Sequence, residues 1–223
     1  MIRYSNFILK SVCLLSLIYF TYLMTLITLQ YIPVKFDVAF LAVKQNEIEY
    51  KYYQIAFFSH VYTSIFVLIF GIFQFSKRIR TKFKKIHKIL GGLYVFIILL
   101  VAAPSGFIMA LHANGGIFSK LSFVIQAIVW FWFTLMAFRS IRKLDLKSHL
   151  KFMYRSYALT LSAISLRLFK WIIVSTIELP PMDTYKIVSW LGWLFNLSLV
   201  EIYLMYSKDW KKKKSTISNQ LGT

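Results

Sequence analysis

Four polar side chains interrupt long apolar runs of this chain: His60, Gln126, Arg167 and Asn196. Polar and charged groups within the hydrocarbon of a membrane are costly and mark sites of function or helix contact. At ~100° per residue, His60, Ser64, Val67, Gly71 and Gln74 fall within ~40° of one direction on a helix. A second stripe carries Ser156, Thr160, Ala163, Arg167 and Trp171, with Lys170 at its edge. At ~1.5 Å rise per residue, His60 lies ~11 Å below the outer end of its run, Gln126 ~12 Å, and Arg167 and Asn196 ~15 Å. Four helices thus carry a polar group at a similar level. If they converge, His60, Ser64, Gln74, Gln126, Arg167 and Asn196 line an outward-facing pocket with a fixed positive charge. A guanidinium at that depth needs an anion or a carbonyl as partner. No acid lies at its level, since Glu201 falls near the inner end and is expected to meet Arg155 or Lys151. The alternative role for the same residues is to join neighbouring helices by separate hydrogen bonds.

Histidine offers a second chemistry. Bis-histidine ligation of haem b needs two imidazoles at one depth on facing helices. His87 and His149 both open helices at the inner face and meet the level condition. His60 and His112 differ in depth by ~11 Å on the same helical rise. Interfacial histidines among basic residues also serve as caps or phosphate contacts, the alternative role for His87 and His149. No histidine has a Cys or carboxylate at ligand spacing, so no metal site is expected. Trp130, Trp132, Trp190 and Trp193 read as packing and interfacial anchors.

The elements that must hold these residues follow from composition. Of 223 residues, 58% are hydrophobic and only 16% charged, with a mean hydropathy of +0.62. A soluble domain carries about 25% charged residues. Disordered chains, secreted disulfide scaffolds and ordinary soluble enzymes are excluded, and the single Cys13 permits no intrachain disulfide. Apolar runs long enough to cross ~30 Å of hydrocarbon occur at about 8–29, 53–75, 89–111, 118–138, 153–177 and 186–206. The fold expected is an all-α membrane protein: one domain over 1–207 with six transmembrane helices. A basic tail over 208–223 is expected to be disordered.

Charge sets the orientation. The net charge of +19 would suggest nucleic acid on a soluble protein, but here the basic residues lie between apolar runs and no nucleic acid is expected. Twenty of the 27 lysines and arginines fall in the N-terminus, 76–88, 139–155 and the tail. The alternating segments 30–52, 112–120 and 178–186 hold five. The positive-inside rule then places both termini in the cytoplasm. Anionic head groups of the inner leaflet are the expected partners of the basic segments. On the third helix, Ala102, Gly106 and Ala110 form a ridge of small residues that permits close helix packing, or assembly into a homo- or hetero-oligomer.

From Phe57 to about Lys170 the chain resembles the bacterial membrane family called domain of unknown function 2306. The resemblance rests on Phe58-Ser59-His60, Gly71-Ile72-Phe73-Gln74-Phe75, and the basic loop into His87-Lys88. It continues in Leu90-Gly91-Gly92-Leu93-Tyr94, Ser105-Gly106, His149, Phe152 to Thr160, and Leu166-Arg167-Leu168. His87-Lys88 stands where the family usually has His-Arg, and Phe73 where a proline often precedes the glutamine. The resemblance implies a four-helix core (helices 2–5) with flanking helices 1 and 6 in a bacterial cytoplasmic membrane. It implies no reaction.

Three functions remain open: a protein that binds or moves a small ligand, an anion among the candidates; a haem b redox protein; and a non-catalytic scaffold or partner subunit. An enzyme is not expected, because nucleophile–base pairs and carboxylate clusters are missing. The topology is directly testable. Cysteines placed at Ser76 or Ser148 should be labelled only from the cytoplasm, and at Asn46, Asn114 or Asp183 only from outside. Cytoplasmic labelling at position 114 would break the six-helix alternation.

Overall fold

The computed structural model describes residues 2–206, and the tail expected over 208–223 lies outside the described residues. Among the described residues all regular structure is helical. The helices are α1 (Ile2–Leu29), α2 (Gln45–Ile48), α3 (Lys51–Phe75), α4 (Lys77–Lys82), α5 (Lys84–Ile97), α6 (Ala103–Leu111), α7 (Gly116–Arg142), α8 (Leu146–Thr160), α9 (Ser162–Thr176) and α10 (Pro181–Tyr206). Five helical stretches are long and apolar enough to cross a membrane, and the bent pair α8–α9 makes a sixth if it is one span. The spans bury only 11% to 33% of their most apolar windows within the protein. The remaining apolar faces point outward, where lipid rather than water is the solvent that suits them. The chain divides into two compact units, residues 1–113 and 114–223.

In the first unit α3 is the central element. It packs against α5, α6 and the turn between them, and against α1. The third span is not one regular helix. Residues Ile98–Ala102 form a π turn between α5 and α6, and Pro104 follows at the start of α6. Proline gives no N–H to the helix. The π turn and the proline therefore disturb the backbone ladder inside the span.

Segment 30–52 is an ordered cap rather than an extended loop. Tyr31, Leu41, Ile48, Tyr53 and Phe57 bury together, with Val38, Phe40, Phe58 and Met109 around them. Tyr31 Oη accepts from Phe40 N–H at 3.2 Å, and Tyr62 Oη donates to the Tyr31 carbonyl at 2.7 Å. Lys44 is 1% exposed. Its Nζ donates to Glu47 Oε1 at 2.7 Å and to the His112 carbonyl just past the end of α6. A cation at a helix C-terminus is favoured by the helix dipole. Tyr52 Oη lies 3.0 Å from His112 Nε2, which ties the start of α3 to the same corner.

In the second unit α7 packs along α8, while α10 packs against α7, α8 and α9. The sixth span is thus integral to this unit. Gly115 opens α7 with φ +81°, and a Cβ there would lie 2.5 Å from Ser119 Oγ, so glycine alone fits. At the start of α8, Asp145 Oδ1 accepts from Ser148 N–H at 3.0 Å, and hydrogen bonding by the Ser148 side chain first, then by its backbone, holds the Asp145 carboxyl below its ordinary pKa. Taken as one span, the α8–α9 pair is broken, since the two helices meet at Leu161 with a 41° bend.

The cap makes a pH-dependent contribution whose sign is fixed. Burial is the largest single influence and works to raise the Glu47 pKa, but the Lys44 hydrogen bond, a backbone hydrogen bond and the nearby Lys44 and His112 charges together hold the carboxyl below its ordinary 4.5. A lowered folded pKa adds stability above the ordinary value, lost as pH falls through the folded one. Hydrogen exchange over 38–53 should therefore quicken as pH drops below the carboxylate range, beyond the intrinsic trend. Glu47→Gln should exchange faster at neutral pH and lose that acid-dependent step.

Candidate functional site

The polar residues of the spans collect at the two irregular helices. In the first unit, His60 on α3 reaches the π turn. Its Nδ1 donates to the Ala102 carbonyl at 2.8 Å, which fixes the proton on Nδ1 in the neutral ring. Ser105 Oγ donates to the Val101 carbonyl at 2.6 Å. Two side chains thus add hydrogen bonds to carbonyls of the irregular turn, where the hydrocarbon offers no water. Gly106 makes the approach possible, since a Cβ there would lie 2.9 Å from His60 Cε1. Ala102 and Ala110 of the small-residue ridge are 0% and 3% exposed.

Ser64, one turn from His60, is half-buried with an Oγ that has no partner among the described residues. Gln74 lies lower on α3 and donates to the His87 carbonyl at 3.4 Å. Gly91 lets it in, because a Cβ there would stand 2.9 Å from Gln74 Oε1.

In the second unit the broken span has its own polar shell. Asn196 Nδ2 of α10 donates to the Ala158 carbonyl at 3.1 Å, and Ser162 Oγ donates to the Leu159 carbonyl at 2.6 Å. These are the carbonyls that the bend at Leu161 exposes. Ser165 Oγ donates to Asn196 Oδ1 at 2.8 Å, and Gln126 Nε2 of α7 donates to Ser162 Oγ at 2.5 Å. Trp130 Nε1 donates to Thr160 Oγ1 at 3.2 Å, and Thr134 Oγ1 pairs with Ser156 Oγ at 2.7 Å. Trp193 Nε1 donates to Ser122 Oγ at 2.9 Å, so Trp130 and Trp193 bond as well as pack.

Arg167 sits on α9 beyond this shell. It is exposed, and its Nη1 donates to the Ala163 carbonyl one turn back at 2.9 Å. Gln126 and Asn196 are brought to one break, with Arg167 nearly two turns further along, while His60, Ser64 and Gln74 belong to the other unit. Of the histidines read as haem ligands, His87 lies in the first unit, and His149 in the second donates from Nδ1 to the Ala137 carbonyl at 2.9 Å. Among the described residues no group of His, Cys, Asp and Glu could hold a metal ion. Glu201 does meet Arg155, in an ion pair of 2.5 Å. Sequence reasoning placed Thr160 in the second stripe but missed Ser162 and Ser165. Their signal is a cluster of small hydroxyl residues in mid-span, where side chains that bond backbone carbonyls bend helices.

The apolar spans, the shells around the irregular helices and the ordered motif residues all meet in one comparison. A family model described as "Predicted membrane protein (DUF2306)" matches residues 57–204. The chain belongs to that family. No curated protein and no solved structure matches it. The DUF2306 match runs from α3 through α10, so it includes both irregular spans and the sixth helix.

Packing around the break of the DUF2306 core is tight enough to test. A Cβ on Gly192 would lie 2.9 Å from Leu166 Cβ and 3.1 Å from its Cα, and backbone cannot yield as a side chain does. Gly192→Ala should cost ~1–3 kcal/mol, read as a lower melting temperature of the purified protein. Gly92→Ala, where nothing lies within 4 Å, should be neutral or slightly stabilising.

Proposed function

We propose that this membrane protein binds a small anion at the break of its fifth span. The observation that supports this is the mid-span bend at Leu161, with Gln126, Ser165 and Asn196 around it and the Arg167 cation further along α9. Broken helices deep in a membrane are where transporters hold substrates and ions, because half-helix ends and side-chain amides there offer directed polar groups. Arg167 supplies the charge that selects an anion. Asn196 holds the break open by occupying the Ala158 carbonyl and presents its amide oxygen to Ser165. In this reading Gln126 and Asn196 have a double duty: they make the bend tolerable and they line the polar site.

The test uses purified protein in neutral nanodiscs and a panel of formate, lactate, succinate, sulfate and inorganic phosphate. At least one anion should raise the melting temperature in a saturable way. Arg167→Leu should weaken that binding about 10- to 100-fold, the loss of a hydrogen bond to a charged partner. The variant's melting temperature without anion should stay near that of the parent, because leucine is not buried at this exposed position. No shift with any anion, or binding unchanged in Arg167→Leu, would reject the reading. Asn196→Leu should instead lower stability in the absence of anion, since the Ala158 carbonyl then has no donor.

A further inference from the structure

In the first unit, the end of α3 far from the cap leads into an ordered elbow made of α4 and the start of α5. Ile79 N–H donates to Ser76 Oγ at 3.5 Å, Phe83 N–H to the Ile79 carbonyl at 3.0 Å, and His87 N–H to the Phe83 carbonyl at 3.0 Å. α4 packs against both α3 and α5. Residues 77–88 hold seven lysines and arginines, and all seven are exposed. The sequence has no Asp or Glu between Glu49 and Asp145. Among the described residues, ion pairs form at Lys44–Glu47, Arg155–Glu201 and Lys186–Asp183, and none reaches 77–88.

These charges stand beside an apolar stripe. At ~100° per residue, Lys84, Lys85 and Lys88 span ~100° of α5, and Ile86, Ile89 and Leu93 occupy a neighbouring arc of ~60°. Those three are 46%, 52% and 41% exposed, and Phe83, at the joint between the helices, is 45% exposed. The side of α5 turned to α3 is a third one, marked by Gly91 beside Gln74 and by the fully buried Tyr94. The stripe continues into the third span, so the cations stand at the edge of the hydrocarbon. Water suits the lysines and not the stripe, while hydrocarbon suits the stripe and not the lysines. The boundary between head groups and acyl chains suits both, with lysine stems along apolar surface and ammonium groups at phosphate level. A soluble acidic peptide would match the charges but leave Phe83 and Ile86 in water.

We propose that the α4–α5 elbow is a binding surface for anionic phospholipid, with its cations on the phosphates and Phe83, Ile86 and Ile89 seated against the acyl chains. The helices and the Ser76 cap already hold the elbow in shape, so little order has to be gained on binding. Zwitterionic lipid offers the apolar contact without a net charge and is the weaker occupant.

Hydrogen exchange over 77–89 tests this on the full chain, in phosphatidylcholine nanodiscs with graded fractions of phosphatidylglycerol. Each protein is compared with its own rate in pure phosphatidylcholine. Exchange should slow saturably as phosphatidylglycerol rises, and less so at high salt, which screens exposed charges. Lys84→Gln/Lys85→Gln should weaken the effect about 25-fold, at about fivefold per basic residue near an anionic surface. Lys35→Gln/Lys51→Gln removes two exposed cations at the other end of α3 and should leave the effect unchanged. Phe83→Ser keeps every charge and should weaken it several-fold, the loss of one partly buried aromatic side chain. No slowing by phosphatidylglycerol, or full slowing in Lys84→Gln/Lys85→Gln, would overturn the proposal. Equal weakening in Lys35→Gln/Lys51→Gln would overturn the site in favour of net charge. Full slowing in Phe83→Ser would overturn the seated surface in favour of charge alone. Equal slowing by poly-glutamate in pure phosphatidylcholine nanodiscs would overturn the lipid in favour of a soluble acidic partner.

Discussion

Backbone carbonyls inside hydrocarbon have no water to turn to, and this constraint governs the whole chain. Regular helices meet it unaided. The third and fifth spans do not, because one contains a π turn and the other a bend. Each survives because a neighbouring helix lends a donor: His60 to the Ala102 carbonyl, Asn196 to the Ala158 carbonyl. Residues that look like chemistry in the sequence are first of all what makes irregular backbone tolerable there. Function built on such a site begins from groups already committed to the fold.

The spans were legible because length and apolarity are properties of single segments. Their inner ends were less so. The fifth was read from residue 153, yet α8 begins at Leu146, since Lys147, Lys151 and Arg155 interrupt its apolar pattern while still belonging to the helix. The break at Leu161 and the π turn over Ile98–Ala102 fall on apolar residues that give no local sign. Only Pro104 and the hydroxyls of Thr160, Ser162 and Ser165 hint at them. Depth arithmetic placed Gln126 and Asn196 at similar levels, and they do gather at one break. Their partners, a serine hydroxyl and a main-chain carbonyl, depend on which helices are neighbours, and spacing within a helix carries no information about that.

Segment 30–52 joins two apolar runs, and its lysines and carboxylates by themselves suggest a solvated connection. Lys44 shows why composition misled. Lysine is almost never fully buried unless paired, and here Glu47 and the His112 carbonyl provide the pairing. The same logic separates the two cations of the second unit. Arg155 is locked by a carboxylate and two rings. Arg167 leans on its own helix, where the Ala163 carbonyl one turn back takes one of its N–H groups.

The π turn also solves a geometric problem that has nothing to do with polarity. An α-helix advances ~100° per residue, so residues four apart drift around it by ~40° at each step. Tyr94, Ile98, Ala102, Gly106 and Ala110 follow one another at that spacing, and α5, the turn and α6 all meet α3. On a uniform helix this row would wind away from α3 before reaching the far side of the bilayer. A wider turn advances less per residue and takes part of the drift back. Removing a single residue from 98–102 would therefore leave both halves helical but rotate the second half relative to α3. Gly106 would leave the His60 ring, and insertions or deletions should be tolerated far less in this stretch than their bland composition suggests.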